Sequence, residues 1–145
     1  MNSKTERDSV RTPKFILDWV TKHYGKQQEI MDPCPYNNNF DKTKHKDGLK
    51  IEWGKVTFCN PPYSEMRKWV LKAAEEWRKQ KTIIVLVKAR SLTSKYFKDS
   101  TGCKVYFFKK KFKFPGYDDL PHFHSVILVY ESGKTSNAYS FFPQP

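Results

Sequence analysis

The chain has few of the residues that would cross-link it, let it bind a metal or carry it into a membrane. It has three cysteines, Cys34, Cys59 and Cys103, and their spacing is not that of a zinc site. The four histidines form no cluster with them, so neither a disulfide framework nor a metal centre is expected, and the thiols fit a reduced, intracellular setting. No apolar run approaches the roughly 20 residues of a membrane span, and the amino terminus is polar. The expectation is a protein that is neither inserted nor secreted, working in the cytoplasm or nucleoid of a host cell. Glycine is scarce, with six in 145 residues and none between Asp32 and Asp47. A glycine-rich cofactor turn is therefore absent from that stretch. Acid is scarce as well, with 15 Asp and Glu against 27 Lys and Arg and a formal charge of +12.

Aromatic side chains are plentiful: 11 Phe, 8 Tyr and 4 Trp. They supply a folded core in spite of the polar average. A basic chain rich in aromatics suits a polyanion, and nucleic acid is the expected partner. The length allows one domain, over 12–145, preceded by a charged, flexible terminus over 1–11.

Phe15, Ile16, Trp19, Val20 and Tyr24 recur at helical spacing. Thr12 serves as N-cap, Pro13 as first helical residue and Gly25 as stop. Glu29-Ile30-Met31-Asp32 is a short strand candidate that delivers Asp32 to its carboxyl end, where open α/β sheets bind ligands. Residues 37–48 are polar and loop-like. Val56-Thr57-Phe58-Cys59 is a second strand, followed by an amphipathic helix over 65–79 with Met66, Trp69, Val70, Ala73, Ala74 and Trp77 on its core stripe and a Glu75/Lys79 pair outside. The apolar run over 82–87 is a central parallel strand buried on both faces. It ends at Lys88-Ala89-Arg90, and Ser91 caps a short helix to about residue 99. Residues 104–108 and 124–130 are further strands, and the last dozen residues form a terminal strand or a tail. Strands alternating with helices before a terminal strand pair indicate an α/β sandwich with a largely parallel sheet.

Between the second strand and the second helix stands Asn60-Pro61-Pro62-Tyr63. Two prolines fix φ and remove two backbone donors, leaving rigidly aimed carbonyls. A planar amino group conjugated to a ring carries two N–H bonds, which the Asn60 side-chain oxygen and the Pro61 carbonyl can hold. Drawing those protons from the ring plane restores lone-pair character to a poor nucleophile. Pro62 stiffens the platform and Tyr63 offers a ring on which an unstacked base can lie. The same residues would also make a strand-to-helix turn, with Ser64 as cap.

The chain resembles the phage-type DNA N6-adenine methyltransferase family, the small Dam-like enzymes of phages and mobile elements. The residues that carry the resemblance are Thr12-Pro13, Met31-Asp32-Pro33-Cys34, Asp47-Gly48-Leu49 with Trp53, Asn60-Pro61-Pro62-Tyr63-Ser64, Trp69 with Ala73-Ala74, and the region from Lys113-Phe114 to Ser125-Val126-Ile127-Leu128-Val129. It spans roughly residues 12–130, and only the proline tetrad is individually specific. The resemblance implies S-adenosylmethionine as donor and a compact Rossmann-like methyltransferase fold, a mostly parallel sheet with helices on its faces and a C-terminal antiparallel strand pair. It also implies that Thr12, Pro13, Asp32, Pro33 and Cys34 lie near the donor's amino-acid portion, Asp47 on its adenosine side, and Asn60 between donor and acceptor.

The fold must be shortened between the first strand and the Asn60 strand. Only 27 residues separate Asp32 from Asn60, where two more strand–helix units would be expected and one βαβ unit takes roughly 30. No separate target-recognition module is present, so sequence choice falls to loops, to the basic strand region or to a second subunit, which leaves a homodimer open. Lys88 and Arg90 are candidates for phosphate contact. In Lys109-Lys110-Lys111-Phe112-Lys113, strand alternation would put Lys109, Lys111 and Lys113 on one face along a nucleic-acid backbone. The rival readings are adenine methylation in RNA, methylation of a protein glutamine amide, which the basic balance disfavours, and a nucleic-acid binder with a degenerate, non-catalytic methyltransferase fold.

Overall fold

The computed structural model describes residues 9–36, 47–98 and 101–145. Residues 37–46 of the loop expected over 37–48, and the end of the short helix at residue 99, lie outside them. The elements are α1 (Lys14–Tyr24), β1 (Val56–Cys59), α2 (Met66–Trp77), β2 (Thr82–Lys88), α3 (Lys95–Lys98), β3 (Lys104–Phe107), β4 (Ser125–Tyr130) and β5 (Tyr139–Phe141). They build one five-stranded sheet in the order β1-β2-β4-β3-β5. β1 pairs parallel to β2, β4 pairs antiparallel to both β2 and β3, and β5 pairs parallel to β3. Four strands therefore point one way and β4 alone points back.

Each face of the sheet is covered by a helix whose apolar stripe matches the alternation of the strands. Ile16, Trp19 and Val20 of α1 pack with Phe58, Ile84, Leu86, Ile127 and Val129. Met66, Trp69, Val70, Ala73 and Ala74 of α2 pack with Cys59, Ile83, Val85, Val87, Val126 and Leu128 on the other face. β2 thus buries alternate residues on both sides, as its unbroken apolar run requires. Each such side chain contributes about 1.5–3 kcal/mol. The mixed sheet, helix-covered on both faces, is the compact Rossmann-like α/β architecture expected from the sequence.

Several local expectations need correction. The strand over 29–32 shrinks to a single parallel bridge between Met31 and Thr57. Met31 N–H donates to Val56 O (3.0 Å) and Phe58 N–H donates to Met31 O (2.9 Å). The next residue facing β1 would be Pro33, which has no N–H to extend the ladder. Val10, expected in the flexible terminus, is buried. Helix α1 starts at Lys14 with Pro13 at its boundary and no side-chain cap, so Thr12 is not a cap. Ser64 does not cap α2 either. Lys79 pairs with Glu76 at 2.8 Å, one residue from its expected partner Glu75. Residues 109–113 form a bend and coil outside the ladders, since β3 ends at Phe107 opposite Val126 and Phe141, while Phe112 and Phe114, two apart, both pack on the α1 side.

Candidate active site

In a parallel sheet the carboxyl ends of the strands share one edge, and an antiparallel neighbour brings its amino end there. Asn60 leaves β1 at that edge, Lys88 ends β2, and Phe123 and His124 enter β4 beside them, since Lys88 is opposite Ser125 in the ladder. Ala89 N–H donates to His124 O (2.8 Å), fastening the segment before β4 to the end of β2.

Asn60 is 8% exposed, and both its side-chain N–H bonds are spent on the chain's own amino-terminal segment. Its Nδ2 donates to Val10 O (3.0 Å) and to Thr12 Oγ1 (3.1 Å). This fixes the sense of the amide and leaves Oδ1 facing away from the clamp as an acceptor. Among the described residues no donor reaches Oδ1. The Pro62 carbonyl is taken by Glu65 N–H (3.2 Å) in the turn Tyr63–Glu65 that leads into α2, whereas no described donor takes the Pro61 carbonyl. Two neighbouring acceptors, Asn60 Oδ1 and Pro61 O, are thus left uncommitted on a stiff support.

Tyr63 stands next to them. Its ring meets Phe123 edge-on, with centroids 5.2 Å apart. The Lys88 ammonium lies 4.4 Å from the Tyr63 centroid and 4.5 Å from that of Phe123. The Tyr63 hydroxyl is buried without a hydrogen-bond partner among the described residues, and burial, together with nearby Tyr117, pushes its pKa above the usual tyrosine range. Tyr63→Phe is therefore expected to keep activity and to hold or raise the melting temperature, since it deletes an unsatisfied buried group. Tyr63→Ala should lose the ring and about tenfold or more in catalytic efficiency. Loss of activity in the Phe variant as severe as in the Ala variant would assign the hydroxyl a role.

The other expected donor residues gather around the bridge at Met31. Asp32 and Asp47 each fold one carboxylate oxygen back on their own loop, Asp32 Oδ1 accepting from Cys34 N–H (2.9 Å) and Asp47 Oδ1 from Leu49 N–H (3.0 Å). Gly48 lets these two loops touch, for a Cβ there would lie 2.0 Å from Pro33 O and 2.8 Å from the Trp69 ring. Cys59 is fully buried below, its thiol pushed well up by burial and by the proximity of Cys34 and Asp32. Arg11 stacks on Tyr36 (4.8 Å), tying the segment that clamps Asn60 to the loop after Met31.

A family model described as DNA N-6-adenine-methyltransferase (Dam) matches residues 1–115. The chain belongs to this family. The family's description is that of a methyltransferase, and S-adenosylmethionine is the donor that such membership implies. Among solved structures the Dam-family chain is similar to a predicted O-methyltransferase, protein Atu636 from Agrobacterium tumefaciens, at 19% identity and a TM-score of 0.37, covering 73% of this chain and 48% of that one. It thus spans about half that protein's length. No curated protein matches it.

The residues beside the Asn60 platform fit such a donor, whose amino-acid portion carries both charges. Asp32 and Arg11 are exposed side chains of opposite sign on segments joined by the Arg11–Tyr36 contact, and Asp32 Oδ2 has no partner among the described residues. Of the expected nucleic-acid contacts, Lys88 sits within the site, Arg90 is exposed just beyond it, and Lys109, Lys111 and Lys113 follow β3 further along the same edge.

Two parts of the Dam-family site were missed in the sequence. Phe123 had a topological signal, as it immediately precedes a strand that must start at the site's edge. The other is Glu76, fully buried on α2, which accepts from Trp53 N–H (2.6 Å) and Lys81 Nζ (2.8 Å). Burial works against its charge, but the bonds from Lys79, Lys81 and Trp53 N–H, with Lys72 nearby, win and hold its pKa at about 2. Trp53 in turn donates its indole N–H to Gly48 O (2.8 Å), so this buried charge anchors the Asp47 loop.

Proposed function

We propose that the protein is an adenine-specific DNA methyltransferase that moves a methyl group from S-adenosylmethionine to the exocyclic N6 amine of a base taken out of its stack. The observation that carries this reading is the pair of uncommitted acceptors, Asn60 Oδ1 and Pro61 O, beside the Tyr63 ring. An exocyclic amine has two N–H donors, and the platform has two acceptors for them. Holding both protons draws the nitrogen lone pair out of conjugation and aims it. When bound, S-adenosylmethionine supplies an electrophilic methyl on a sulfonium. As the amine gains positive charge, the same two oxygens stabilise it from a site already organised to do so. Asp32 would hold the ammonium of the donor's amino-acid portion and Arg11 its carboxylate, with Pro13, Pro33 and Cys34 shaping that end and Asp47 the adenosine side. Tyr63 and Phe123 wall the base. Lys88, which covers one face of Tyr63, gives way to the base and meets the phosphate of the extruded nucleotide.

Thr12 acts in this scheme as a positioning residue. Thr12→Val removes one of the two acceptors that set the Asn60 amide and should lower the transfer rate about tenfold at saturating substrates, consistent with a hydrogen bond worth about 0.5–1.5 kcal/mol. Thr12→Ser should restore it, and donor affinity should not change. A weakened donor affinity with an unchanged rate would instead make Thr12 a donor contact. Calorimetric titration with S-adenosylmethionine separates catalysis from simple nucleic-acid binding. Saturable binding at one site, abolished or weakened in Asp32→Ala, is expected, and no binding would leave a degenerate, non-catalytic fold.

A further inference from the structure

Tyr139 and Phe141 project from one face of β5 at 70% and 54% exposure, although each carries a large apolar ring. They lie on the α2 side of the sheet, since their ladder partners Val105 and Phe107 pack there. Phe107 joins them, its ring 5.9 Å from that of Tyr139 and 6.4 Å from that of Phe141. Lysine is interleaved with these rings, for the Lys109 ammonium stands 5.1 Å from the Phe141 centroid. The neighbouring lysine bend is pinned to the same strand end: Lys110 N–H donates to Gln144 Oε1 (3.1 Å) and Gln144 Nε2 donates to Lys110 O (2.9 Å). Residues 101–117 and 132–145 contain no Asp or Glu but include Lys104, Lys109, Lys110, Lys111, Lys113 and Lys134. A second copy docking on this face would bring the same lysines against their equals, whereas a polyanion with flat, unpaired rings complements both features.

We propose that Tyr139, Phe141 and Lys109 form a second stacking platform, which takes unpaired nucleotides of single-stranded DNA flanking the target. This rests on the reading of the protein as a DNA methyltransferase and adds a contact outside the catalytic site. β5 is parallel to β1, so the Phe141 end of the platform lies on the same sheet edge as Asn60. Four strand spacings of about 4.8 Å separate β1 from β5, or about 19 Å, which matches roughly six nucleotides at 3.4 Å per stacked step. The rings hold bases without selecting among them, and Lys109 holds the adjoining phosphate.

The test is fluorescence anisotropy with labelled oligothymidylate, free of any target adenine, on the wild type, Tyr139→Ser, Phe141→Ser and the ring-conserving double variant Tyr139→Phe/Phe141→Tyr. Each Ser variant should bind about tenfold more weakly or worse, the ring-conserving variant should bind like the wild type, and S-adenosylmethionine affinity and melting temperature should be unchanged. Single-strand affinity within twofold of wild type in both Ser variants would overturn the proposal. So would a ring-conserving variant as weak as the Ser variants, or a dimer, seen by sedimentation, that the Ser variants abolish with no change in DNA affinity. A wild type that methylates DNA while its single-strand affinity ignores these rings would overturn the platform and leave the transferase reading standing. A wild type with no affinity for any oligonucleotide would overturn both.

Discussion

Asn60→Ala should lower methyl transfer by at least about 10²–10³-fold, the loss seen when one preorganised group aimed at developing charge is removed. The side chain supplies one of two acceptors for the amine, so the remaining Pro61 carbonyl can neither hold both protons nor set the lone pair in line. Donor affinity should stay close to wild type, because the lost oxygen acts on the acceptor amine. Stability should fall by about 1–3 kcal/mol, because the Val10 carbonyl, buried with its residue, loses its donor. That accompanying loss makes a melting curve part of the experiment, with activity measured well below the transition. A folded Asn60→Ala protein that still turns over at the wild-type rate would remove the platform from the mechanism.

Glu76→Ala should have the largest effect on stability. It takes the buried carboxylate from Lys81, whose side chain is 11% exposed and keeps, among the described residues, only Trp53 O (2.6 Å) and the exposed Glu52 (3.3 Å), and it takes the acceptor from the Trp53 N–H; breaking a buried pair in this way costs about 3–5 kcal/mol. Replacing both members with apolar groups, as in Glu76→Leu/Lys81→Met, should recover part of the loss, since it removes the Lys81 charge but leaves Lys72 without its carboxylate and the Trp53 N–H without its acceptor. The group also sets an acid limit. Its folded pKa of about 2 lies below the ordinary 4.5, so its contribution is complete above pH 4.5 and disappears as the pH falls toward 2. Glu76→Ala should accordingly flatten the stability profile in that window, and chemical denaturation between pH 2 and 6 measures it. Donor affinity should drop too, because Trp53 and Gly48 carry the Asp47 loop. An unchanged profile would show that the network does not hold the carboxylate ionised.

The parts of the structure legible in the sequence were those with strong periodic signals. The α1 and α2 stripes, the doubly buried β2 and the strand–turn–helix around Asn60 follow from apolar spacing and proline chemistry alone, and the shortening before β1 follows from counting residues. What escaped depended on long-range partners. Thr12 reads as a helix cap because Thr-Pro opens helices so often, yet its hydroxyl is claimed by Asn60, 48 positions away. Glu76 lies three residues after Ala73 and seven after Trp69, on the buried stripe by spacing, but a carboxylate is not expected inside unless its partners are known. The lysine run alternates like a strand, and Phe112 and Phe114 do share one side, but the run continues past the last ladder partners of β3, which sequence pattern does not reveal. Phe123 needed the sheet order, which sequence pattern does not supply.

The most direct test of the account is to incubate the protein with methyl-labelled S-adenosylmethionine and adenine-containing duplex DNA, then digest the DNA to nucleosides and identify the labelled one by mass spectrometry. The account predicts label in N6-methyl-2′-deoxyadenosine, and none above background with Asn60→Ala. Label in another nucleoside or in the protein itself, or donor binding with no labelled DNA, would contradict it.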